Sequence, residues 1–373
     1  MIRYALFFIR YDKPKSIGVV LGIIISIFLV GQQTGIFLFL TGTMSALVDN
    51  IEADLWVVDN QTADANALGP IDARIGRQVE SLPGVIKAYP LIITRGTAKF
   101  PRGRSAPVQL IGALPPHFRG GPWQILSGRM GDLMEEGAVS TDIFDRKILN
   151  NAGPGTAFEL NGRRVHVAVQ TRGVRGFGAT YVFTTLDRAR ALGDFPPNKV
   201  SAFLVETADG ADIQTIRNHI NTTMYGIRAW TKKDLSRSTV STILGTSGIA
   251  FSIGTLIIFA TLSGIIIIGL TMYSAAVDRL RDYGTLKAIG ADNRTIRNLI
   301  LTQALIFALV GYGIAIVLIE GFRSGISNSG ILFEYTNAVR IGFFVVTLAI
   351  SLGGAAFAMR RIARLEPASV FRT

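Results

Sequence analysis

The sequence predicts a membrane protein with four transmembrane α-helices and a large mixed α/β extracytoplasmic domain between helices 1 and 2. Three observations lead to this fold class. Only 17% of the residues are charged, against about 25% in soluble domains. The chain contains four long stretches without a charge. Between the first two of them, residues 44–246 have the charged and turn-forming residues of a folded domain.

Each uncharged stretch is long enough to cross a membrane. The four stretches contain 33, 40, 22 and 19 residues, and a helix of roughly 20 apolar residues spans the hydrocarbon core of a bilayer. The first stretch is too long for the apolar region of a cleaved signal peptide, which has about 7–15 residues. The predicted transmembrane helices occupy residues 16–43, 247–277, 298–319 and 341–359.

The basic residues predict the orientation of these helices. Lys and Arg cluster before the first helix, in residues 278–297 and in the tail at 360–373, whereas the short loop at 320–340 carries two charges of each sign. The positive-inside rule therefore places both termini and residues 278–297 in the cytoplasm, with the short loop and residues 44–246 outside. Residues 44–246 contain 23 basic and 19 acidic residues, a net +4 of the total +12. The other eight positive charges lie at the inner membrane surface, which argues against binding of nucleic acid.

The composition excludes several kinds of chemistry. The chain has no cysteine, so it forms no disulfide or thiolate site, and its three histidines give zinc few ligands. No ionisable residue falls in the middle of a predicted span, which argues against an ion-driven carrier. We therefore predict no catalytic and no metal-binding residue in this chain.

The first two apolar stretches are longer than a bilayer requires. As helices they would extend about 50 and 60 Å at 1.5 Å per residue. The surplus lies beside the extracytoplasmic domain, at 41–47 and 236–247. This predicts a short helical stalk, and an uncharged linker is the alternative. The stalk residues are Thr41, Thr43, Thr242 and Thr246.

Residues 1–15 are predicted to form an amphipathic helix at the cytoplasmic membrane surface. Arg3 and Arg10 are seven residues apart and share one helical face with Lys13, within an otherwise apolar segment. Such a helix directs its basic groups toward anionic headgroups, so membrane lipids are expected partners. Pro14 should end the helix before the first membrane crossing.

Strand and helix patterns alternate in the extracytoplasmic domain. Strand patterns at 53–59 and 85–100 flank a helical pattern at 71–82, and a second strand–helix–strand order follows between 200 and 230. A strand-rich insert separates these two regions and contains Asn161-Gly162, a strong hairpin signal. Two subdomains are therefore expected. The glycine-rich residues 172–178 lack the GxxxxGK[ST] phosphate motif, which favours a turn between strands.

Small and amide residues within the spans predict contacts between helices. Gly18 and Gly22 form a GxxxG pattern, which permits close approach of two helices. Gln32, Gln33 and Gln303 are expected to form hydrogen bonds between helices, and contact with a substrate is the alternative.

Residues 278–297 join the second and third spans and carry the most informative pattern. Gly290 is expected to end a short helix there in the left-handed conformation, and Asp292 to cap the next helix. This rigid connection suits docking into a groove of another protein; an amphipathic loop resting on lipid is the alternative. Four apolar residues form a stripe on the short helix: Leu280, Tyr283, Leu286 and Ile289.

This segment is similar to the sequence ER-x-x-E-I-G-x-L-K-A-I-G-A of the MacB/FtsX-like ABC transporter permease family. Asp278-Arg279 correspond to its first pair and Asp282 to its second glutamate, while Tyr283 replaces the usual isoleucine. The direct matches are Gly284, Leu286, Lys287, Ala288, Ile289, Gly290 and Ala291. Weaker likenesses occur at 81–85 and 363–368. The order of one span, a large domain and three spans also resembles this family (type VII ABC), nearest to the DevC-type exporter permeases that lack a fused ATPase domain.

The resemblance implies that residues 278–297 form the helix that couples the permease to an ATPase. Because the chain has no Walker motif, it is expected not to be an enzyme, and ATP and Mg²⁺ would be bound by a separate ABC ATPase subunit. The permease would act as a homodimer, or with a homologous permease, in the bacterial inner (plasma) membrane. The coupling residues that the resemblance implies are Arg279, Leu280, Asp282, Tyr283, Gly284, Leu286, Lys287, Ile289 and Gly290.

The implied function is the transmission of cytoplasmic ATP hydrolysis to the periplasm for export or extraction of a substrate. An export role would require a periplasmic adaptor and an outer-membrane channel as further partners. Two alternatives stay open: FtsX-like signalling that activates a periplasmic enzyme, and LolC/LolE-like extraction of lipoproteins or lipids. The large extracytoplasmic domain favours export or extraction over signalling.

Overall fold

A computed structural model describes residues 2–11, 13–278, 282, 285 and 290–363. The chain divides into two compact units. The membrane unit comprises Met1–Phe39 and Ile249–Thr373, and the α/β unit comprises Leu40–Gly248.

The described residues form helices and strands in both units. The helices are α1 (Ile2–Tyr11), α2 (Lys13–Met44), α3 (Ala46–Asn50), α4 (Ile75–Glu80), α5 (Leu186–Leu192), α6 (Ile213–Thr223), α7 (Lys232–Ser247), α8 (Ile249–Asp278), α9 (Asn293–Ser327) and α10 (Asn337–Ala363). The strands are β1 (Leu55–Asp59), β2 (Ile71–Asp72), β3 (Val85–Lys99), β4 (Ser105–Ala113), β5 (Ile125–Ser127), β6 (Ala138–Asp142), β7 (Ala157–Leu160), β8 (Arg163–Thr171), β9 (Tyr181–Thr185), β10 (Lys199–Val200), β11 (Ala202–Thr207) and β12 (Ile227–Thr231).

Four helices of the described chain, α2, α8, α9 and α10, are long and apolar enough to cross a membrane. This confirms the four predicted spans. The loop predicted at 320–340 is shorter than expected, because α9 continues to Ser327 and α10 begins at Asn337. Glu320 and Arg323 form an i, i+3 ion pair that supports the extra turns of α9.

The N-terminal helix α1 packs against α9. Ala5 is buried, and Ile9 lies against the core of the membrane unit. Tyr4, Phe7 and Tyr11 are exposed on α1. The helix predicted for residues 1–15 ends earlier, at Tyr11; position 12 lies outside the described residues, and Pro14 lies in the first turn of α2, which begins at Lys13. A proline is tolerated there because the first N–H groups of a helix have no intrahelical partner.

Buried side chains of all four long helices form the core of the membrane unit. The contact between α8 and α10 is the most extensive in this unit. Each long helix contributes buried side chains to this core, for example Ile27, Ile268, Ala304 and Ile350. Polar contacts are few at this level of the core, although Ser351 donates a hydrogen bond to the Ala304 carbonyl at 2.7 Å.

One ten-stranded sheet organises the α/β unit, with the main strand order β12-β1-β11-β3-β7-β8-β5. The long strand β3 is central, because its first half pairs with β11 and its second half pairs with β4. The expected division into two subdomains is therefore wrong at the level of the sheet. A 15-residue strand belongs to both halves and joins them into one unit.

Local structure in the α/β unit follows the sequence patterns unevenly. The hairpin at Asn161-Gly162 is confirmed, with φ of +47° and +82° between β7 and β8. Residues 71–82 are only partly helical, since Ile71 and Asp72 form strand β2. Strand β6 is followed by a 3₁₀ turn. In this turn the Asp142 carboxylate accepts a hydrogen bond from the Phe144 N–H.

The edge strand β12 is covered by a side chain. Asn221 of α6 donates from its amide nitrogen to the Ala229 carbonyl at 3.1 Å and accepts from the Ala229 N–H at 2.7 Å. The amide therefore makes both backbone hydrogen bonds that a neighbouring strand would make at this residue.

Candidate coupling and stalk regions

The coupling residues expected from the sequence lie only partly within the described chain. Asp282 is helical and exposed, and Gly290 has a φ of +99°, the conformation expected of a residue that ends a helix. The other expected coupling residues lie outside the described residues: Arg279, Leu280, Tyr283, Gly284, Leu286, Lys287 and Ile289.

Asp292 caps the beginning of α9, as the sequence predicts. Its Oδ1 accepts hydrogen bonds from the N–H and the hydroxyl of Thr295, both at 2.7 Å. The same two hydrogen bonds hold the pKa of the Asp292 carboxyl below its usual range. The third span thus starts at a fixed residue, two positions after Gly290.

An ion pair joins the first two spans where the coupling segment begins. The Lys15 ammonium group contacts the Asp278 carboxylate and lies 3.4 Å from the Ser274 carbonyl. Lys15 is in the first turn of α2, and Asp278 is the last residue of α8. A displacement of residues 278–297 would therefore act on α2 as well as on α8.

Glycines on α2 allow the other spans to approach its backbone. A Cβ at Gly22 would lie 2.8 Å from the Ile267 side chain, and one at Gly18 would lie 3.5 Å from Thr271. These contacts with α8 bear out the interpretation of Gly18 and Gly22 as a packing motif.

A second glycine pair, Gly31 and Gly35, contacts the loop between α9 and α10. This pair was not identified from the sequence. A Cβ at Gly35 would lie 2.6 Å from both the Phe333 ring and the Tyr335 hydroxyl. The buried Tyr335 hydroxyl donates to the Gly31 carbonyl at 2.9 Å. The signal was present as a GxxxG pattern, but nothing local indicates that aromatic side chains from residues 328–336 fill this notch.

A charge cluster lies at the same end of α9 and α10. Glu320 accepts from Arg323 at 2.7 Å and from Arg340 at 2.8 Å. Tyr312 donates to the Arg340 carbonyl at 3.1 Å and packs edge-on against Phe344. These contacts fix the beginning of α10 against α9.

The amides expected to join helices do not do so within this chain. Gln32, Gln33 and Gln303 are half-buried, and within the described part of the chain none of the three side chains forms a hydrogen bond. The expectation of hydrogen bonds between helices is therefore wrong here.

Of the expected stalk residues, Thr41 and Thr43 lie in the last turn of α2, and Thr242 and Thr246 lie in α7. Thr43 and Thr246 donate to carbonyls of their own helices, those of Leu40 and Thr242, at 2.8 and 2.9 Å. These two hydroxyls therefore satisfy their hydrogen bonding locally.

The first part of α7 is docked on the α/β unit. Leu235, Thr239 and Ile243 are buried on one face. The Thr239 hydroxyl accepts from the Ala65 N–H at 2.9 Å, and the Ser238 hydroxyl donates to the Ala63 carbonyl at 2.8 Å. This half of the stalk is therefore part of the domain, and consecutive exposed residues of α7 occur only at its end, at 245–247.

The end of α2 is also attached to the α/β unit. The Asn66 amide donates to the Met44 carbonyl at 2.8 Å, which satisfies a carbonyl that the helix end leaves without an intrahelical partner. Beyond Met44, α3 packs against α7, and Leu47 and Val48 are buried.

The glycine-rich segment 172–178 is held by two buried carboxylates. Asp142 accepts from the Thr171 hydroxyl and from the Val174 N–H, at 2.9 and 2.8 Å. Arg175 lies 3.0 Å from Asp145. Burial raises the pKa of Asp145 to about 6, against the opposing effect of Arg175. The segment is thus a turn, as the sequence predicts, and it is anchored by these contacts.

Within the described residues, no group of three or more His, Asp or Glu side chains could hold a metal ion. The polar contacts of the α/β unit described above serve to fix turns and helix ends. The candidate functional regions are those expected from the sequence, the coupling segment and the stalk.

Comparison with known proteins assigns both units to one family. Residues 16–223 match the MacB-like periplasmic core domain, and residues 254–367 match the FtsX-like permease C-terminal domain. The first match covers more than half of the chain, and the two together cover the four spans and most of the α/β unit.

Two relatives are similar over nearly their whole length. They are uncharacterized ABC transporter permeases of Mycobacterium tuberculosis strains CDC 1551 and H37Rv. Each is 26% identical over 383 aligned positions that cover 94% of this chain and 95% of the relative.

Two solved domains are similar to part of the chain. The extracellular domain of the noncanonic ABC-type transporter YknZ from Gram-positive bacteria has a TM-score of 0.35 at 14% identity, and covers 48% of this chain and 99% of that domain. The periplasmic region of MacB from Actinobacillus actinomycetemcomitans has a TM-score of 0.39 at 10% identity, and covers 52% and 97%. From the two domain matches, with four apolar helices and an α/β unit in the order that they require, we conclude that the chain is a multi-pass inner-membrane protein and belongs to the MacB/FtsX-like family of ABC transporter permeases.

Proposed function

We propose that this permease transmits ATP hydrolysis from a separate ABC ATPase subunit, which binds ATP and Mg²⁺, to its α/β domain in the periplasm. The movement of that domain would drive export or extraction of a substrate. One observation carries the proposal: α2 is a single uninterrupted helix from Lys13 to Met44. An ideal helix of this length extends about 48 Å at 1.5 Å per residue.

The attachments near the two ends of α2 are suited to transmission of force. Near its beginning, Lys15 pairs with Asp278, the first residue of the coupling segment. At its other end, the Met44 carbonyl is bonded to Asn66 of the α/β unit. A helix resists compression and bending because each turn is closed by backbone hydrogen bonds. Displacement at one end of α2 would therefore reach the other end.

The coupling segment 278–297 is proposed to dock in a groove of the ATPase subunit. Its stripe of Leu280, Tyr283, Leu286 and Ile289 would supply the apolar contact. The positive φ of Gly290 and the Asp292 cap support this role, because they define where the segment ends and α9 begins. Both termini would lie in the cytoplasm with this segment.

The unbonded amides support assembly as a dimer. An amide without a partner in hydrocarbon costs several kcal/mol, and Gln32, Gln33 and Gln303 find none among the described residues of this chain. A second copy, or a homologous permease, would supply partners across the interface. Single-cysteine variants at these positions can test this arrangement, because the chain has no cysteine of its own.

The absence of ionisable groups from the middle of the spans favours a substrate path outside the membrane helices. A periplasmic adaptor and an outer-membrane channel would be the partners in export. The α/β unit of residues 40–248 would then contact the substrate or the adaptor directly.

The coupling role is tested with two variants and their matched controls. Leu286→Glu places a charge on the docking stripe, and Gly290→Val disfavours the left-handed conformation. Both proteins should insert normally but fail to stimulate the ATPase subunit in proteoliposomes. Leu286→Met keeps the apolar contact, and Gly290→Asn tolerates positive φ, so both controls should retain stimulation. Wild-type stimulation by Leu286→Glu and Gly290→Val together would show that the segment is only a connector.

A further inference from the structure

We propose that Arg323 and Arg340 form a binding site for the phosphate of an anionic phospholipid. The site lies at the end of α9 and α10, opposite the coupling segment. The proposal depends on the proposed membrane orientation in one respect: that orientation places the bound phospholipid in the outer leaflet.

The two guanidinium groups are held together by one carboxylate. Glu320 accepts from Arg323 Nε at 2.7 Å and from Arg340 Nη2 at 2.8 Å. Two positive charges and one negative charge give this cluster a net charge of +1. An anion that approached it would therefore meet two converging cations whose mutual repulsion Glu320 already reduces.

Most of the hydrogen-bond donors in the cluster are unused. A guanidinium group has five N–H donors, and within the described part of the chain Glu320 is the acceptor for both side chains. The remaining donors have the planar, forked geometry that binds phosphate through two parallel hydrogen bonds. Both side chains are partly exposed, at 36% and 44% of their surface.

The surroundings of the cluster are apolar and exposed, as a lipid contact requires. Val317, one turn before Glu320, is 67% exposed, and Ile341, next to Arg340, is 63% exposed. Such residues on a spanning helix face acyl chains. An arginine above them extends its charged end toward the headgroup region, while its methylene groups stay in apolar surroundings.

The site is formed in advance of binding. Tyr312 donates to the Arg340 carbonyl and packs on Phe344 at a ring distance of 5.2 Å, which holds the start of α10 against α9. Because the backbone positions of both arginines are fixed, phosphate binding would require little further ordering of the protein.

The alternative is that the cluster only fastens α9 to α10, and charge-changing variants separate the two roles. The double variant Arg323→Gln/Arg340→Gln leaves Glu320 to repel phosphate, whereas Glu320→Gln leaves both arginines and raises the net charge to +2. The fastening contact is lost in both. A lipid site predicts weaker lipid binding in the double variant but not in Glu320→Gln, and a fastening contact predicts equal changes in both.

The test is a native mass spectrometry titration of the purified full-length permease with palmitoyl-oleoyl-phosphatidylglycerol. The double variant should bind this lipid about tenfold more weakly than the wild type, because each arginine near a membrane surface strengthens attraction to anionic lipid severalfold. Glu320→Gln should bind at least as tightly as the wild type. Arg163→Gln, an exposed arginine of the α/β unit, is the matched control and should not change binding.

Three results would overturn the proposal. They are wild-type lipid binding by the double variant, an equal loss of lipid binding in Glu320→Gln, and displacement of the lipid by excess inorganic phosphate, which would indicate a site for free anions. The measurement requires no ATPase subunit. A failure here would therefore leave the proposed coupling function untouched, and a failure of coupling would leave the lipid site untouched.

Discussion

The chain crosses between its two units twice, and the two crossings differ. At the first, α2 passes from Phe39 to Leu40 without a break and ends at Met44. At the second, α7 ends at Ser247 and α8 begins at Ile249, with Gly248 between them at a φ of +67°. One crossing is a continuous helix, and the other contains a left-handed residue that interrupts the helical hydrogen bonds.

This difference suggests that the two crossings have different mechanical roles. A continuous helix transmits axial and bending displacements, whereas a single left-handed residue is a point about which two helices can change direction. On the side of the α/β unit, the helix of the second crossing is bonded to residues 63–65 through Thr239 and Ser238. We therefore expect the first crossing to carry displacement and the second to act as a hinge.

The largest effect is expected when the continuous crossing is interrupted. Leu40→Pro removes a helical hydrogen bond and places the proline ring against the preceding turn, at a cost of about 3 kcal/mol. ATP-dependent transport should be lost although the ATPase subunit still binds nucleotide. Leu40→Ala keeps the helix and should retain most transport. Full transport by Leu40→Pro, measured in proteoliposomes, would mean that α2 is not the transmitting element.

Cross-links between the two stalk segments should have nearly as large an effect. Disulfides engineered between 41–47 and 236–247, tried at several pairs, should block movement of the α/β unit while ATP binding persists. Bulky replacements at Gln32, Gln33 and Gln303 should reduce dimer formation more than transport by the assembled protein. Transport that survives every cross-link but is abolished by the glutamine changes in assembled protein would instead indicate a path between the spans.

A smaller effect is expected where α2 is seated in the membrane unit. Gly35→Val would force its side chain against Phe333 and Tyr335, and overpacking of this kind costs roughly 1–3 kcal/mol. Thermal unfolding of the purified protein should occur at a lower temperature. Gly42→Val is the matched control in the same helix, because nothing lies within 4 Å of a Cβ at that position. Equal destabilisation by both variants would show that helix propensity, and not the notch, sets the cost.

Removal of a hydrogen bond at the second crossing should lower the stability of the protein by no more than Gly35→Val does. Thr239→Val keeps the size of a buried side chain but leaves the Ala65 N–H without its acceptor, a loss of about 1–3 kcal/mol. Protease resistance around residues 61–66 should decrease. Ser241→Val changes an exposed hydroxyl two residues away and is the control. Unchanged resistance in Thr239→Val would mean that the docking of α7 depends on its apolar face alone.

The smallest effect on stability is expected at the hinge itself. Gly248→Ala disfavours the left-handed conformation by about 1 kcal/mol, and open space around Gly248 excludes a steric contribution. Stability should hardly change, but the rate of coupled ATP hydrolysis should fall if bending at this residue accompanies each cycle. An unchanged rate would assign the hinge to another position.

The sequence predicted best what depends on composition and short-range pattern. The four spans follow from uncharged length, the hairpin from Asn161-Gly162, and the α9 cap from Asp292. Contacts between distant segments were predicted poorly. The insertion of Phe333 and Tyr335 into the notch at Gly31 and Gly35 depends on residues about 300 positions apart, and no local pattern encodes it.

The same limit explains the errors in the α/β unit. The strand pattern of 85–100 was recognised, but its two different partners, β11 and β4, are set by packing of the whole sheet. Strand β9 and helix α5 were missed because the run at 181–192 is short and changes its period at Thr185, which caps α5. Whether Gln32, Gln33 and Gln303 meet partners among the described residues depends on helix rotation, which hydropathy does not specify.

The amide of Asn221 affects how readily copies of this protein associate through their sheet edges. An exposed strand edge is a template on which identical chains can associate, and β12 lies at the edge of a ten-stranded sheet. Because Asn221 already occupies the N–H and carbonyl of Ala229, a strand from a neighbouring molecule cannot pair through the centre of β12 without first displacing this side chain. The fold therefore protects itself from aggregation with one residue of α6, at a position far along the chain from any coupling residue.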